Sequence, residues 1–202
     1  MRILDIKKCT IADGPGIRLS IYCSGCDLHC KGCHNQEAWD FNQGTDYKEL
    51  LDEIISELEK SYYKGITFCG GEPLNPKNVD GFLEIAKLIK EKLPTKDIWC
   101  YTGYEWEDVK DLEIMKYIDV AVVGPFILKE RDITSKNKWR GSKNQRVIDV
   151  RMSLAFNTKL YLAGIPNNGD FVPFLVYSDY FPNGMTDEEF IEKFLENKKN
   201  NG

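Results

Sequence analysis

The chain has 202 residues, of which 42% are hydrophobic and 29% are charged, and its formal net charge is −5. These values are typical of one globular domain with a substantial core, and the acidic balance argues against general nucleic-acid binding. No apolar run approaches the roughly 20 residues that cross a bilayer, and the first residues lack the pattern of a signal peptide. We expect a cytoplasmic protein that contacts neither membrane nor nucleic acid.

Strands and helices alternate along most of the sequence. Short apolar runs predict strands at about 3–6, 16–23, 64–69, 97–102, 117–123, 144–150 and 159–163. Apolar residues at helical spacing predict helices at about 47–60 and 79–92, with a short one between 104 and 115. This alternation indicates an α/β fold with a parallel sheet of about five to six main strands. The pattern itself leaves open whether the sheet is a partial barrel or flat and doubly wound.

The last part of the chain differs in composition. Asn167-Asn168-Gly169 interrupts the pattern, and Thr186 with Glu189 forms a capping-box signature before a short apolar helix. We therefore divide the chain into a main domain, 1–166, and a C-terminal extension, 167–202.

The chain contains seven cysteines, four of them between positions 23 and 33. An odd number crowded into one loop does not resemble a secreted disulfide framework, so we expect reduced thiols that hold a metal. Cys26, Cys30 and Cys33 follow a C-x3-C-x2-C spacing, which is too compressed for a zinc ribbon. Iron–sulfur clusters usually take four thiolates, so three would leave one iron open to a small molecule.

Cys23 allows two interpretations. As a fourth ligand it would close the site, which would then be a redox centre or structural zinc. However, Cys23 shares its parity with Ile17, Leu19 and Ile21, while Arg18 falls on the other face of the predicted strand. This pattern favours Cys23 as a small apolar packing residue.

Three candidate segments follow three successive strands. The cysteine loop follows the first, Gly70-Gly71-Glu72-Pro73 follows the second, and Thr102 follows the third. The carboxyl ends of parallel strands meet at one rim of the sheet, where sites gather in such folds. We therefore expect these segments to form one site.

The sequence resembles the radical S-adenosylmethionine (SAM) enzymes that activate glycyl-radical enzymes. Within that group it is most similar to the activating protein of anaerobic (class III) ribonucleotide reductase. The motifs that carry the resemblance are the triple-cysteine loop with His34-Asn35, Asp13-Gly-Pro-Gly-Ile-Arg18, Gly70-Gly-Glu-Pro73, Asp97-Ile-Trp-Cys-Tyr-Thr-Gly-Tyr104, Val122-Val-Gly-Pro-Phe126 and Trp139-Arg-Gly-Ser-Lys-Asn-Gln-Arg146.

The resemblance implies a partial, open β/α barrel of the radical SAM type. It implies a [4Fe–4S] cluster on Cys26, Cys30 and Cys33, which would be both metal ligands and catalytic residues. It also implies that SAM contacts Gly32, Cys33, His34, Asn35, Gly70, Gly71, Glu72 and Thr102, with Glu72 accepting from the methionyl ammonium. Asp13 would lie near the entrance for the substrate polypeptide.

The implied activity is that of an oxidoreductase which cleaves SAM reductively and forms a glycyl radical on the large subunit of anaerobic ribonucleotide reductase. A reduced flavodoxin or a ferredoxin-type protein would donate the electron. Alternatives are an activase of another glycyl-radical enzyme, such as pyruvate formate-lyase, a small-molecule radical SAM enzyme, and a non-catalytic metal-binding interaction module. The basic stretch 129–146 is a hypothetical docking segment for a large protein partner.

Overall fold

The computed structural model describes residues 1–131 and 139–157. Its strands are β1 (Arg2–Thr10), β2 (Ile17–Cys23), β3 (Thr45–Asp46), β4 (Tyr63–Gly70), β5 (Asp97–Tyr101), β6 (Val120–Val123) and β7 (Arg146–Asp149). Its helices are α1 (Tyr47–Leu58), α2 (Val79–Lys92), α3 (Trp106–Val109) and α4 (Val150–Phe156), with 3-10 turns at Gln36–Trp39, Glu113–Lys116 and Leu128–Glu130. The predicted α/β class is confirmed.

The strands form one open sheet in the order β3-β1-β2-β4-β5-β6-β7. Its centre is parallel, because β2, β4, β5 and β6 pair in the same direction. α1 connects β2 to β4 and α2 connects β4 to β5, the helical crossovers that parallel neighbours require. The carboxyl ends of these four strands therefore lie along one edge of the sheet.

The prediction of a parallel sheet is wrong at both sides. β1 pairs antiparallel with β2, and β3 pairs antiparallel with β1. β7, predicted as a further parallel strand, pairs antiparallel with β6. The described part of the connection 124–145 contains one short 3-10 turn, Leu128–Glu130. The described sheet has seven strands rather than five to six.

The helices cover one face of the sheet. α1 begins where Asp46 accepts a hydrogen bond from the backbone N–H of Lys48, at 3.0 Å, so the cap expected there is present. Ile54 and Leu58 of α1 and Phe82 and Ile85 of α2 are buried against the inner side chains of the strands. This layer is the main hydrophobic core, and it fixes which side chains of each strand face the opposite side.

The opposite face is also buried, which corrects the reading of Arg18 as part of a polar face. Arg18 is fully buried, and its Nη2 lies 2.6 Å from Oδ1 of Asp97. Its guanidinium donates to the hydroxyl of Thr67 at 2.7 Å and to the carbonyl of Ile66 at 2.7 Å, beside the ring of Trp99. The guanidinium thus connects β2 to β4 and β5 on the face of the sheet opposite the helices.

Some predicted helices and strands differ in length from those in the structure, and others lie outside the described residues. The short helix expected between 104 and 115 is divided into α3 and a 3-10 turn. The strand predicted at 117–123 is confirmed only for Val120–Val123. The predicted strand at 159–163 and the C-terminal extension lie outside the described residues. In the part that is described, no helix is both long and apolar enough to span a membrane.

Replacing Asp97 by Asn should lower the free energy of unfolding by about 3 kcal/mol, because the buried Arg18 guanidinium would lose its counter-charge. Urea denaturation of the metal-free protein, followed by far-UV circular dichroism, measures this change.

Asp52→Asn is the matched control, because Asp52 is an exposed carboxylate on α1. We expect it to change stability by less than about 0.5 kcal/mol. Equal stability of the Asp97 and Asp52 variants would contradict a structural role for the buried ion pair.

Candidate active site at the carboxyl ends of the parallel strands

A cavity of about 360 Å³ opens at the carboxyl ends of the four parallel strands. Segments that follow β2, β4, β5 and β6 all contribute to its wall, so the predicted convergence on one rim is confirmed. The predicted site residues on this wall are Cys26, Cys30, Cys33, His34, Asn35, Gly70, Gly71, Glu72 and Thr102. The volume is within the range of small-molecule sites.

Cys26, Cys30 and Cys33 all line this cavity. Cys26 is buried, while Cys30 and Cys33 are partly exposed to solvent. The backbone N–H of Asn35 donates to Sγ of Cys33 at 3.4 Å. This hydrogen bond holds the backbone of Asn35 beside the Cys33 sulfur.

Cys23 does not belong to this group. It is fully buried in the main core with Leu19 and Ile21, as the alternation along β2 predicts. Burial raises the pKa of its thiol, and the side-chain amide of Asn78 lies 3.7 Å from its sulfur. Cys23 is therefore a packing residue, and the loop offers three thiols to the cavity.

Two backbone hydrogen bonds fasten the start of the cysteine loop to the loop after β4. Gly71 N–H donates to the carbonyl of Cys23 at 2.7 Å, and Glu72 N–H donates to that of Gly25 at 2.8 Å. The side-chain amide of Asn78 adds bonds to the carbonyls of Ser24 at 3.0 Å and Gly25 at 3.2 Å. A Cβ atom at Gly71 would overlap the Gly25 carbonyl, so this close approach requires glycine.

Glu72 joins the loops after β4 and β5. Its Oε1 accepts from the hydroxyl of Thr102 at 2.7 Å and from the N–H of Leu74 at 2.9 Å, and its Oε2 accepts from the N–H of Gly103 at 2.7 Å. Burial raises its pKa to about 7, although the three donors favour the ionised form. Glu72 therefore positions Thr102 and the surrounding backbone in addition to lining the cavity.

The residues after Cys33 provide further polar groups. His34 is exposed at the cavity wall. The amide nitrogen of Asn35 is buried and has no hydrogen-bond partner among the described residues, so it is available to a ligand. Gly32 is the one predicted contact residue that is not on the wall; it has a φ of +79° and packs against Leu128 instead.

Sequence reasoning missed Tyr22 as a residue of the cavity wall, whereas Asp13 was expected near the entrance for the substrate polypeptide. Tyr22 and Ser20 both donate to Oδ2 of Asp13, at 3.0 and 2.7 Å, and Asp13, Tyr22 and Cys69 line the cavity. Alternation along β2 puts Tyr22 on the face opposite Cys23, but it does not reveal that this face is largely buried as well.

The segment 139–146 closes the remaining side. Oε1 of Gln145 accepts from the N–H groups of Gly141 and Ser142, at 2.8 and 3.1 Å, and its Nε2 donates to the carbonyl of Gly124 at 3.0 Å. Nδ2 of Asn144 donates to the carbonyl of Pro125 at 2.7 Å. These amides hold the segment after β6 against the cavity, which explains why both side chains occur in the Trp-Arg-Gly-Ser-Lys-Asn-Gln motif.

Comparison with known proteins agrees with this geometry. The model of a family described as a 4Fe-4S single cluster domain matches residues 12–148. A relative from Enterobacteria phage T4 is 39% identical over 143 residues, covering 70% of this chain and 90% of the relative. Relatives from Vibrio cholerae (39% over 140 residues; 67% and 89%) and Escherichia coli K12 (37% over 146 residues; 70% and 94%) are similar. All three are named anaerobic ribonucleoside-triphosphate reductase-activating proteins.

The chain belongs to the family of anaerobic ribonucleoside-triphosphate reductase-activating proteins.

The cavity of this activating-protein family member fits an iron–sulfur cluster better than a single metal ion. Within residues 1–131 and 139–157, no three His, Cys, Asp or Glu side chains converge closely enough to hold one ion. Each thiolate of a four-iron cluster binds a different iron, so its ligands line a space rather than surround a point. Cys26, Cys30 and Cys33 line one cavity, which meets that requirement.

Glu72 should make the metal-free protein less stable as the pH rises from about 4.5 to 7. In this window Glu72 keeps its proton in the folded state but has lost it in the unfolded state. The contribution of this carboxyl to the free energy of unfolding is therefore complete below pH 4.5 and is lost above pH 7. The change amounts to as much as about 3 kcal/mol. Urea midpoints measured across this range should show it.

Glu72→Gln, which does not ionise, should flatten this part of the stability profile. Asp149 supplies a smaller slope in the same direction, because burial also raises its pKa, so a residual pH dependence is expected. An unchanged slope in the Glu72 variant would show that this carboxyl does not titrate as described.

Proposed function

We propose that this protein activates an anaerobic ribonucleotide reductase by generating a glycyl radical on it, with a [4Fe–4S] cluster and SAM as cofactors. The observation that carries the proposal is that the three cysteines of the C-x3-C-x2-C loop line one cavity together with strand-end loops that offer backbone groups. The names of the relatives and the match to a 4Fe-4S single cluster domain support it. The same support favours the radical SAM type of partial barrel for residues 1–166, with 167–202 as an extension.

Cys26, Cys30 and Cys33 would hold the cluster and leave one iron without a protein ligand. Reductive cleavage of SAM at that iron supplies the hydrogen-abstracting chemistry when both groups are bound. The thiols are the soft ligands that iron–sulfur centres prefer. All seven cysteines are free, which suits a reduced, cytoplasmic setting.

The remaining wall residues would bind and orient SAM. Gly70 and Gly71 offer backbone atoms close to the cysteine loop, since a Cβ atom at either would meet the backbone of Cys23 or Gly25. The Asn35 amide supplies a hydrogen-bond donor. Glu72 and Thr102 would fix the position of the loop against which the amino-acid part of SAM lies, and the Glu72 carboxylate retains acceptor capacity for an ammonium.

The cavity walls would also exclude water from the reacting groups. Leu28, Phe126 and Trp139 add apolar surface to a wall that otherwise carries thiols and polar groups. A site with low water content protects reactive species and strengthens the electrostatic interactions inside it. The partner's glycine would enter at the mouth, where Ala12 and Asp13 lie on the wall.

The proposed function is tested by reconstituting the protein with iron and sulfide without air, then adding SAM, a reductant and a candidate anaerobic reductase. We expect methionine and 5′-deoxyadenosine as products and a glycyl radical on the reductase by electron paramagnetic resonance. Radical formation only on a pyruvate formate-lyase-type enzyme would identify the alternative activase. Protein that binds about one zinc and never cleaves SAM would identify an interaction module.

The four cysteines of the loop region should separate into two classes on replacement by Ala. Cys30→Ala, Cys26→Ala and Cys33→Ala remove a cluster ligand, so we expect the brown chromophore and most of the iron to be lost. Cys23→Ala should retain about four irons per chain and SAM cleavage, because Cys23 lies in the core.

Iron analysis and visible absorption after reconstitution measure this difference, and circular dichroism confirms the fold of each variant. Cys100→Ala is a second buried control, since Cys100 also lies in the core. Loss of the cluster in the Cys23 variant with the fold retained would establish a four-thiolate centre and contradict the open iron.

A further inference from the structure

Three segments of the chain, each with exposed residues, meet beside the tip of the cysteine loop. They are residues 30–34, 127–131 and 141–146. Leu128 packs against Gly32, where an added Cβ would lie 2.9 Å from the leucine side chain. The N–H of Lys143 donates to the carbonyl of Glu130 at 2.8 Å, and Arg131 and Ser142 form a β-bridge. We call this continuous surface the loop-tip face.

The loop-tip face is basic on an acidic protein. Its five exposed cations are Lys31, Lys129, Arg131, Lys143 and Arg146, and its sequence contains one carboxylate, Glu130. The whole chain, in contrast, carries a formal net charge of −5. A local concentration of one sign against the net charge produces a positive potential that steers acidic partners.

The centre of the face is apolar. Ile127 and Leu128 are 37% and 43% exposed, and they are among the few large hydrophobic side chains that the described residues leave on the surface. An apolar centre with a charged rim is the usual composition of a protein-binding surface. The basic rim selects an acidic partner, and the apolar centre provides contact area.

We propose that the loop-tip face docks an acidic one-electron donor protein whose flavin or iron–sulfur group lies near its surface. This inference rests on the proposed function, because a cluster that cleaves SAM must first receive one electron. The donor loses that electron and the cluster gains it, so no further reactant is needed. Leu128 contacts the residue next to Cys33, so a donor seated here is separated from the cluster only by the loop itself.

The position of the face favours an electron donor over the reductase. Ile127, Leu128 and the five cations are all absent from the cavity wall, whereas the glycine to be activated must reach into the cavity. The exposed side chains of the loop-tip face therefore lie outside the cavity wall, although the same segments also contribute Cys30, Cys33, His34, Gly141 and Gln145 to that wall. Electron transfer needs only proximity, while hydrogen abstraction needs direct contact.

The test compares cluster reduction by a protein donor with reduction by dithionite. The variant carries Lys129→Glu and Lys143→Glu, which reverse two charges of the rim and leave the cysteine loop unaltered. Reduced flavodoxin, an acidic flavin protein, is the donor, and anaerobic stopped-flow absorption follows the bleaching of the reconstituted cluster at low ionic strength.

We expect reduction by flavodoxin to be about tenfold slower in the variant, because electrostatic steering of an acidic donor is lost. The difference should shrink as salt is added, since screening weakens the attraction in the unmodified protein. Dithionite should reduce both proteins at the same rate, which shows that the cluster itself is intact.

Lys48→Glu with Lys92→Glu is the matched control. It makes the same change in net charge at exposed lysines on α1 and α2, away from the cavity wall. We expect flavodoxin to reduce this variant at close to the unmodified rate.

Equal flavodoxin rates in the loop-tip variant and the unmodified protein would overturn the proposal while leaving the proposed function intact. The proposal would also be overturned if flavodoxin reduced the variant at the normal rate but the variant no longer bound the reductase. The loop-tip face would then be the binding surface for the reductase. Failure of the unmodified chain to take up a cluster would overturn the proposed function as well, and is recognised before any donor is added.

Discussion

The site depends on how the cysteine loop is held by its neighbours. The loop begins where β2 ends, and its first residues are bonded through backbone N–H groups of Gly71 and Glu72 and through the side chain of Asn78. These donors come from the loop after β4 and the N-terminal end of α2. The start of the cysteine loop is therefore held in place against the loop after β4 and the beginning of α2. Each of these bonds is possible only because two parallel strands end side by side.

The polar groups inside the sheet divide into those that hold the fold and those that border the cavity. Arg18 is used entirely in joining three strands, and Asp97 compensates its charge. Glu72 connects two loops, and burial raises its pKa to about 7. Asn35, in contrast, has an amide donor with no described partner. A site that binds a charged cofactor needs both kinds of polar group. The positioning residues must have hydrogen-bond partners within the protein before the cofactor binds, whereas the contact residues must keep donors or acceptors for the cofactor.

Much of the site was predictable from sequence because spacing and strand order determine it. The C-x3-C-x2-C motif and the positions of Gly70–Glu72 and Thr102 after successive strands were enough to place them on one cavity. Cys23 was assigned correctly because alternation along β2 gave its face. The antiparallel β7 and the buried Arg18 were not predictable in the same way. The pattern that predicts a strand does not give its direction in the sheet, and burial on the second face depends on what the rest of the chain places there.

The antiparallel edges have a consequence for the size of the substrate. A strand that reverses direction ends the series of helical crossovers, so in the described structure the sheet runs from β3 to β7 without those edges meeting. A barrel that closes is open only at its two ends. The described sheet does not close, so a segment that remains attached to a folded macromolecule has more directions from which to approach the cavity.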